Sequence, residues 1–445
     1  MKLSRAYIAI PALFMLMDTS TTALDVKMHG VNYNMRKGAD WEPDELRCKS
    51  PDQLQRDMFA IKQVTDRVRI FSLVDCNQGE YVLRAAKTAG LQVHLGIWTT
   101  TSMNYLLRER DALGRVIDMG LYDSNIIGLQ VGSEAIYRRE ITPETAINYL
   151  NVIRDYLRGR GINTPCTIAD VIDIYIEYPE IPAQVDYYNI NIFSYWEGVD
   201  VNEGAARTLD RIRAARKMAE DTGKQLTVAE VGWSSGGYNI TTGESTPEAQ
   251  AKFFADWYKV ATSINLAYYW FSASDSLWRV TNGGYSVEAY FGIFQEDDTM
   301  KSNFQALTIG APRYYQAIRS DVTNLLLTES NAAVSITGTT NSPLAKEHQR
   351  WFFDPTTQQI RSQSGDRCLD GYQPWDGGIV HCYRCMDNEM NQKWMYESTT
   401  GKLKHGTYTA FCLDVDPAQN NKVQLQGCSP NNPNQRFTIL DGASI

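Results

Sequence analysis

Short apolar runs alternate with amphipathic stretches from Val26 to about Asn303. Apolar runs rich in β-branched residues predict buried strands, and stretches such as Pro143–Arg158 and Ala205–Thr222 predict helices. Eight strand–helix units over roughly 280 residues are what a (β/α)8 barrel requires. The predicted strands are Gly30–Asn34, Val68–Leu73, Leu91–Ile97, Ile126–Glu134, Cys166–Ala169, Tyr187–Phe193, Leu226–Glu230 and Leu266–Phe271.

Two of these strands end in a carboxylate. Ile126 opens an apolar run that ends at Gly132-Ser133 and delivers Glu134, and a second run delivers Glu230 just before Val231-Gly232. The carboxyl ends of the strands of a parallel barrel face the active site, so a charge there has a reason to exist. Two carboxylates acting on one bond are typical of glycoside hydrolysis. We therefore predict Glu134 and Glu230 to be a catalytic pair.

Other polar and aromatic residues stand at or just after the predicted strand ends. Together they predict a polar ring with aromatic walls, which suits a polysaccharide cleft because sugar faces pack on aromatic rings. The chain has 10 Trp and 25 Tyr, which serve equally well for core packing or for sugar stacking. The ring comprises Asn32, Tyr33, Asp75, Glu134, Asp170, Asn191, Tyr195, Trp196, Glu230, Trp233, Asp275 and Trp278.

Charge and composition limit the function further. The net charge of −9 and a pI near 5.2 argue against nucleic acid as a partner. Residues 1–23 combine a basic start, the apolar stretch Tyr7–Met17 and small residues at Ser20–Ala23, a pattern typical of a secretory signal peptide. That stretch is too short to span a membrane. The 5 His are scattered, so we predict no metal and no cofactor.

The last third of the chain contains a repeat. Gln349-Arg350-Trp351, Gln392-Lys393-Trp394 and Gln435-Arg436-Phe437 recur every 43 residues. Cys368-Leu369-Asp370 and Cys412-Leu413-Asp414 precede the second and third of these motifs. The first repeat is degenerate, with Leu325-Leu326-Leu327 at that place.

The barrel motifs resemble glycoside hydrolase family 17, the β-1,3-glucanases, especially the fungal and oomycete branch. The resemblance covers about residues 26–305. It implies that Glu134 is the general acid and base and Glu230 the nucleophile of a retaining mechanism, with carboxyls roughly 5–5.5 Å apart. The matching motifs are Gly30-Val31-Asn32-Tyr33, Val68-Arg69, Asp75-Cys76-Asn77, Val131–Arg138, Asn191–Trp196, Glu230–Ser235, Phe271, Asp275, Trp278-Arg279, Val287-Glu288 and Phe291-Gly292.

The strand-end ring and this resemblance together predict the substrate contacts. They are Tyr33, Asn191, Tyr195, Trp233, Asp275, Trp278 and Glu288. The chain departs from the family pattern at Ser133, where Asn is common, at Ser234 and at Ser272. Cys48 and Cys76 fall in loops on the same barrel face, so a disulfide between them is plausible, and Cys166 is expected to be a buried thiol.

The repeats resemble the ricin B-type lectin, a β-trefoil. The resemblance implies the disulfides Cys368–Cys385 and Cys412–Cys428, leaving Cys382 either paired with Cys166 or free. The third repeat has Gln426 in place of an aromatic residue, so we expect weaker binding there. The implied sugar-binding residues are Asp370, His381, Tyr383, Asn391 and Gln392 in the second repeat, and Asp414 and Asn434 in the third.

The sequence thus predicts a signal peptide (1–23), a glycoside hydrolase barrel (24–318) and a carbohydrate-binding β-trefoil (319–445). The predicted function is a secreted, extracellular or wall-bound monomeric endo-β-1,3-glucanase. Its predicted partners are β-1,3-glucan or a related wall polysaccharide and a second carbohydrate at the trefoil, with neither nucleic acid nor membrane. Two alternatives stay open: a β-1,3-glucanosyltransferase, and a catalytically inactive wall-binding lectin.

Overall fold

Eight parallel strands close into a barrel in the first part of the computed structural model, which describes residues 24–281 and 286–445. The strand order is sequential, and β1 pairs with β8 to close the sheet. This confirms the predicted fold class; the predicted signal peptide lies outside the described residues. The strands are β1 (Gly30–Asn32), β2 (Arg67–Arg69), β3 (Gln92–Ile97), β4 (Ile126–Ser133), β5 (Cys166–Val171), β6 (Tyr188–Asn191), β7 (Leu226–Val231) and β8 (Ala267–Trp270).

Helices connect the barrel strands, and several begin with the same sequence signal. Ser50, Thr142 and Thr246 each precede a proline, and each side chain accepts the backbone N–H three residues later. This cap satisfies a free donor of the first turn, while proline has no donor to lose there. The helices are α1 (Asp44–Arg47), α2 (Pro51–Val64), α3 (Gln78–Ala89), α4 (Met103–Asp118), α5 (Pro143–Gly159), α6 (Ile172–Glu177), α7 (Glu180–Gln184), α8 (Val201–Arg211), α9 (Arg213–Thr222), α10 (Pro247–Ser263), α11 (Trp278–Thr281) and α12 (Ser302–Gln305).

The barrel sheet is irregular where the predicted pair of carboxylates lies. The β4–β5 register shifts between Gln130 and Ser133, and the β6–β7 register shifts just before Asn191, which then pairs with Glu230. A bulge of this kind re-aims side chains at the end of a strand. The irregular ends of β4, β6 and β7 therefore bring their polar residues to one place.

Antiparallel strands make up the C-terminal part, in two sheets. The larger sheet has the order β10-β11-β16-β14-β13-β12-β9-β21, and the smaller has the order β15-β20-β19-β18-β17. Strand β9 spans residues 318 and 319, so this part begins before the predicted boundary. Its elements are β9 (Tyr315–Ser320), β10 (Leu326–Ser330), β11 (Ala333–Thr337), α13 (Pro343–Glu347), β12 (Trp351–Phe353), β13 (Ile360–Ser362), β14 (Cys368–Asp370), β15 (Gly378–Ile379), β16 (His381–Tyr383), β17 (Trp394–Glu397), β18 (Lys402–His405), β19 (Phe411–Asp416), β20 (Lys422–Gly427) and β21 (Phe437–Asp441).

The first two repeats use the same internal contact. The Trp351 indole donates to the Leu327 carbonyl at 2.9 Å, and the Trp394 indole donates to the Leu369 carbonyl at 2.8 Å. Leu327 therefore corresponds to Leu369, one residue away from the alignment that the sequence suggested. Thr328 then stands where the second repeat has its aspartate, so the first repeat lacks that carboxylate.

Polar contacts join the C-terminal part to the barrel helices α8, α9 and α10. Arg216 pairs with Glu347 in a largely buried ion pair, and Arg367 pairs with Asp210. The Gln363 amide donates to the backbone carbonyl that ends α10, at 2.8 Å. These contacts hold the two parts against each other.

Three disulfides form, and they are the three expected pairs. Cys48–Cys76 links the loops after β1 and β2, while Cys368–Cys385 and Cys412–Cys428 lie within the second and third repeats. Cys166 and Cys382 are free and buried, so the alternative in which they pair with each other is wrong. Burial raises the pKa of the Cys166 thiol to about 12, which makes it a weak nucleophile.

Candidate active site and trefoil binding site

Glu134 follows β4 in a conformation that side chains rarely adopt. Gly132 has φ +83° and Glu134 has φ +55°, both in the left-handed region. At Gly132 a Cβ would lie 2.8 Å from Thr99 Oγ1, so glycine is required there. A non-glycine residue in this region costs energy and is common at functional sites. The turn places the Glu134 carboxyl over the end of the barrel.

Two hydrogen-bond donors contact the Glu230 carboxylate. Arg69 Nη1 lies 3.1 Å from Glu230 Oε1, and the Ser133 hydroxyl donates to the same oxygen at 3.0 Å. Arg69 is wholly buried and also donates to Gln130 Oε1 at 2.7 Å and to Asn32. These charge-assisted contacts fix the position of the Glu230 carboxylate at the end of the barrel.

Glu134 has the opposite environment. Burial, reinforced by the negative charge of Glu230, raises the pKa of Glu134 to about 7. Asn191 Nδ2 donates to Glu134 Oε1 at 2.7 Å, and Arg138 Nη1 lies 3.9 Å from Oε2; both contacts lower that pKa. Near neutral pH, Glu134 is therefore in a position to give up a proton.

Two adjoining cavities meet at this pair and form one cleft. The first limb, of about 570 Å³, and the second limb, of about 660 Å³, share Glu134, Glu230, Phe271, Arg279 and Glu288. Besides these, the first limb is lined by Asn32, Tyr33, Asn34, Arg36, Asp40, Lys49, Phe71, Ser72, Asp75, Gln78, Trp98, Tyr105, Ser133, Arg138, Ser272, Ser274, Asp275, Ser276 and Trp278. The second is lined by Tyr137, Val171, Ile172, Asp173, Asn191, Ile192, Phe193, Trp196, Glu197, Arg211 and Phe291.

Tyr195 and Trp233 do not line the cleft, so their prediction as substrate contacts is wrong. Both side chains are wholly buried, with ring centroids 5.3 Å apart. The Trp233 indole donates to the Glu244 carbonyl at 2.8 Å, and the Tyr195 hydroxyl contacts Ser245 Oγ at 2.6 Å. They pack beneath the cleft because their polar atoms find partners inside the protein. Trp196, the next residue after Tyr195, lines the second limb instead.

The other predicted contacts all line the cleft. Asn191 contacts Glu134 as described, and Trp278 lines the first limb. Tyr33 also lines the first limb, but its hydroxyl is turned away and donates to buried Asp57. Asp275 lies 2.7 Å from Lys301, an ion pair that occupies its carboxylate.

Glu288 faces both limbs and lies 2.6 Å from Arg279 Nη1. Its carboxylate thus has a cationic partner in the same cleft that holds Glu134 and Glu230. Its predicted supporting role is compatible with this position.

Sequence reasoning did not assign a role to Arg69, Trp98, Tyr105 or Arg138. Arg69 was noted only as part of a motif, although an arginine inside an apolar strand is itself a signal of a buried ion pair. Arg138 packs over the Trp98 ring, with its guanidinium 5.3 Å from the centroid. Trp98 directly follows the end of β3, so the signal that marked the other ring residues applied to it as well. Tyr105 lies within α4, and no comparable sequence signal marks it.

The second repeat of the trefoil presents an aromatic surface beside a carboxylate. Tyr383 is 46% exposed and stacks on His381 at a centroid distance of 5.8 Å. His381 Nε2 lies 3.5 Å from Asp370 Oδ1, which accepts no hydrogen bond within the described part of the chain. A buried acceptor with capacity to spare beside an exposed ring can bind a hydroxylated ligand.

Gln392 was predicted to bind sugar, but it is wholly buried and structural. Its Nε2 donates to Asp370 Oδ2 at 3.1 Å and to the Arg384 carbonyl at 2.7 Å. Its Oε1 accepts from Gln359 Nε2 and from the Met386 N–H. Asn391 remains partly exposed, and its Oδ1 accepts from the Tyr408 hydroxyl at 3.3 Å.

The third repeat satisfies its own aspartate. Asp414 Oδ1 accepts from Gln424 Nε2 at 3.2 Å, and Oδ2 accepts from Asn432 Nδ2 at 2.8 Å. The amide that reaches Asp414 therefore belongs to Asn432, whereas Asn434 only donates its backbone N–H to Asn432 Oδ1. Asn434 is partly exposed, and its contact with sugar stays a prediction. Both carboxylate oxygens already have donors, which leaves little capacity for a ligand.

The described residues contain neither a helical membrane span nor a cluster of metal ligands. None of the described helices is long and apolar enough to cross a membrane. Within residues 24–281 and 286–445, no group of three His, Cys, Asp or Glu side chains is arranged to hold a metal ion.

A (β/α)8 barrel whose strand ends bring two carboxylates with unlike partners into one cleft is the arrangement of a glycoside hydrolase domain. The model of the BtgE/BtgC glycoside hydrolase domain matches residues 30–292, and the chain belongs to that family. The model of the ricin-type β-trefoil lectin domain matches residues 315–437, so the chain also carries such a domain.

Known relatives share the barrel. A probable glucan endo-1,3-beta-glucosidase, btgC of Aspergillus fumigatus, is 28% identical over 59% of this chain. A glucan 1,3-beta-glucosidase of Candida albicans is 28% identical over 58% of this chain and 88% of its own. The crystal structure of a family 17 beta-1,3-glucanosyltransferase from Rhizomucor miehei is 30% identical, with a TM-score of 0.55 over 64% of this chain and 98% of its own.

The match to the Aspergillus protein is partial. It covers 42% of that relative's length, so the chain spans less than half of it.

Proposed function

We propose that this protein hydrolyses β-1,3-linked glucan as an endo-acting, retaining glycosidase. The observation that carries the proposal is the unlike pair in the cleft: Glu230 is held by Arg69 and Ser133, while burial raises the pKa of Glu134 to about 7. Two carboxylates with different environments are what acid catalysis and nucleophilic attack on one bond require. The names of the relatives supply the substrate class.

The mechanism has two displacement steps. Glu230 forms a bond to the anomeric carbon as the glycosidic C–O bond breaks, and Glu134 gives its proton to the departing oxygen. Glu134, now a carboxylate, takes a proton from water, which attacks the anomeric carbon and releases Glu230. Asn191 Nδ2 stabilises the carboxylate form of Glu134 between the steps. Two displacements at one carbon retain the β configuration.

Product analysis on laminarin tests this proposal. Wild type should release short oligosaccharides whose new reducing ends are β by NMR at early times. Glu134→Ala and Glu230→Ala should both lose turnover on laminarin. On an aryl β-glucoside, whose phenolate leaves without protonation, azide should give a β-glycosyl azide only with Glu134→Ala, because that variant keeps the nucleophile. No turnover by the wild type on laminarin, with binding retained, would favour the inactive lectin.

A glucanosyltransferase is the second candidate, and the second limb supports it. This limb holds Tyr137, Trp196 and Phe291 beside the pair, and Trp196 stacks with Phe291 at 6.3 Å. An aromatic surface there can keep an acceptor sugar in place after the first product leaves, so that its hydroxyl replaces water. Products longer than the starting oligosaccharide would identify this activity.

We further propose that the trefoil binds carbohydrate through its second repeat, centred on Asp370, His381 and Tyr383. The disulfides support secretion to the outside of the cell or to the wall, where such bonds persist. Immunodetection in the culture medium and in wall fractions tests the location. Size-exclusion chromatography tests the predicted monomer.

A further inference from the structure

One wall of the second limb belongs to α8, which carries a stripe of charged side chains. Glu203, Arg207 and Arg211 follow each other at intervals of four residues, so they lie on one face of the helix. Arg211 lines the second limb together with Glu197. Arg207 and Arg211 both pair with Glu197: Arg207 Nε lies 2.5 Å from Glu197 Oε2, and Arg211 Nε lies 3.0 Å from Glu197 Oε1. The α8 stripe therefore starts at the wall of the cleft.

The other end of the α8 stripe contacts the trefoil. Arg384 Nη1 lies 2.8 Å from Glu203 Oε1, and its guanidinium packs 5.9 Å from the Tyr383 ring centroid. Tyr383 belongs to the second-repeat site. Arg211 and Glu203 are eight residues apart, which is about 12 Å along a helix axis. One short helix thus connects the cleft wall to the ring that the trefoil exposes.

The trefoil is held against α8 and the following helix α9 at several further points. Asp210 at the end of α8 pairs with Arg367, and Arg216 in α9 pairs with Glu347. Ser342 donates to Glu220 Oε1 at 2.7 Å. A domain fixed by contacts along its partner's helices keeps its binding site at a set distance from the cleft, unlike a domain on a flexible linker.

We propose that the second limb, the α8 stripe and the second-repeat site bind one polysaccharide chain as a continuous track. This inference rests on the proposed function, because it takes the substrate of the cleft to be a glucan. Trp196, 36% exposed, and Tyr383 provide stacking faces at the two ends of the track. Glu203, Arg207 and Arg384 provide donors and acceptors for sugar hydroxyls between them. The trefoil then extends the cleft instead of anchoring the enzyme to a separate polymer.

Calorimetric titration of Glu230→Gln, which cannot form the glycosyl intermediate, tests the track. Laminaritriose and longer laminari-oligosaccharides are the probes. Once an oligosaccharide is long enough to reach Tyr383, one molecule should bind per protein with an affinity at least about tenfold above that of laminaritriose, because the second contact becomes intramolecular. Adding Tyr383→Ala should remove this gain. Adding Tyr314→Ala, an exposed tyrosine outside the track, should leave it.

The results separate the two proposals. If the affinity does not rise with length, or rises equally in the Tyr383→Ala background, the track is refuted while glucan binding in the cleft stands. If laminaritriose does not bind Glu230→Gln/Tyr383→Ala at all, the cleft is not a glucan site, and the proposed function falls together with the track.

Discussion

Arg138 should set the upper pH limit of activity. Its guanidinium lies 3.9 Å from Glu134 Oε2 and favours the carboxylate, so it holds the pKa of Glu134 below the value that burial and Glu230 would otherwise give. In the proposed mechanism Glu134 must be protonated to act as the acid, and activity should therefore fall as pH rises through about 7. In Arg138→Gln the acid form of Glu134 persists to higher pH. The upper midpoint of the pH–activity profile should therefore move to higher pH.

The size of the shift follows from the distance and the exposure. Two unit charges about 4 Å apart interact by about 1 kcal/mol in water and about 4 kcal/mol near a protein surface. Arg138 is one-third exposed and shares its charge with Glu140, so screening places the effect near the lower value. About 1–2 kcal/mol corresponds to roughly one pH unit. We expect the upper midpoint to move from about 7 to about 8.

The assay is kcat/KM on laminarin across pH 4–10. Arg139→Gln is the matched control, since Arg139 is the neighbouring exposed arginine and carries the same charge. It should leave the midpoint in place. An unchanged or lowered midpoint in Arg138→Gln would refute the assignment of Glu134 as the acid whose charge Arg138 stabilises.

Three further predictions concern stability and the support of the site. Arg69→Met should lower kcat/KM on laminarin by about 10–200-fold, because it removes a charge-assisted hydrogen bond of about 1.5–3 kcal/mol. Arg69→Lys should have an intermediate kcat/KM, and equal kcat/KM values for the two variants would contradict this prediction. Cys48→Ser/Cys76→Ser opens a 28-residue loop and should lower the urea unfolding free energy by about 3–4 kcal/mol, whereas an unchanged midpoint would show that the bond contributes nothing. Gln392→Ala leaves the partners of a buried amide unsatisfied and should lower the free energy of unfolding, measured by thermal unfolding, by about 1–3 kcal/mol. Tyr383→Ala should instead weaken sugar binding and leave the melting temperature unchanged. The reverse pattern would overturn both assignments.

The barrel could be predicted because apolar runs and amphipathic stretches alternate regularly along the sequence. Apolar runs mark all eight strands, and even the weak fifth run at Cys166 becomes a strand, which extends to Val171. Strand ends were less accurate: the first strand stops at Asn32 and the second at Arg69, since the chain leaves the sheet while its side chains are still buried. The hydrophobic pattern of the sequence indicates which residues are buried. Burial continues beyond the residues assigned to each strand, so the pattern places the strand ends too late.

The site was predictable only in part, for a related reason. Glu134 and Glu230 stand out as charges after apolar runs, whereas Tyr195 and Trp233 look the same in sequence whether they face sugar or core. Their inward packing depends on Ser245 and Glu244, fifty and eleven residues further along the chain. The choice of Asn432 over Asn434 likewise depends on the short turn at Pro433–Gln435, whose geometry no spacing rule gives.

Under the proposed function, the difference between Asp370 and Asp414 determines how many polysaccharide strands the trefoil can hold. A lectin that agglutinates needs at least two open sites, so that it can bridge separate polymers. Here the donors from Gln424 and Asn432 occupy Asp414, and Thr328 replaces the carboxylate of the first repeat. Among the three repeats, only the second has an aspartate oxygen without a donor in the described part of the chain. The trefoil of the proposed function is therefore univalent: it would hold the strand on which the barrel works, without cross-linking that strand to its neighbours.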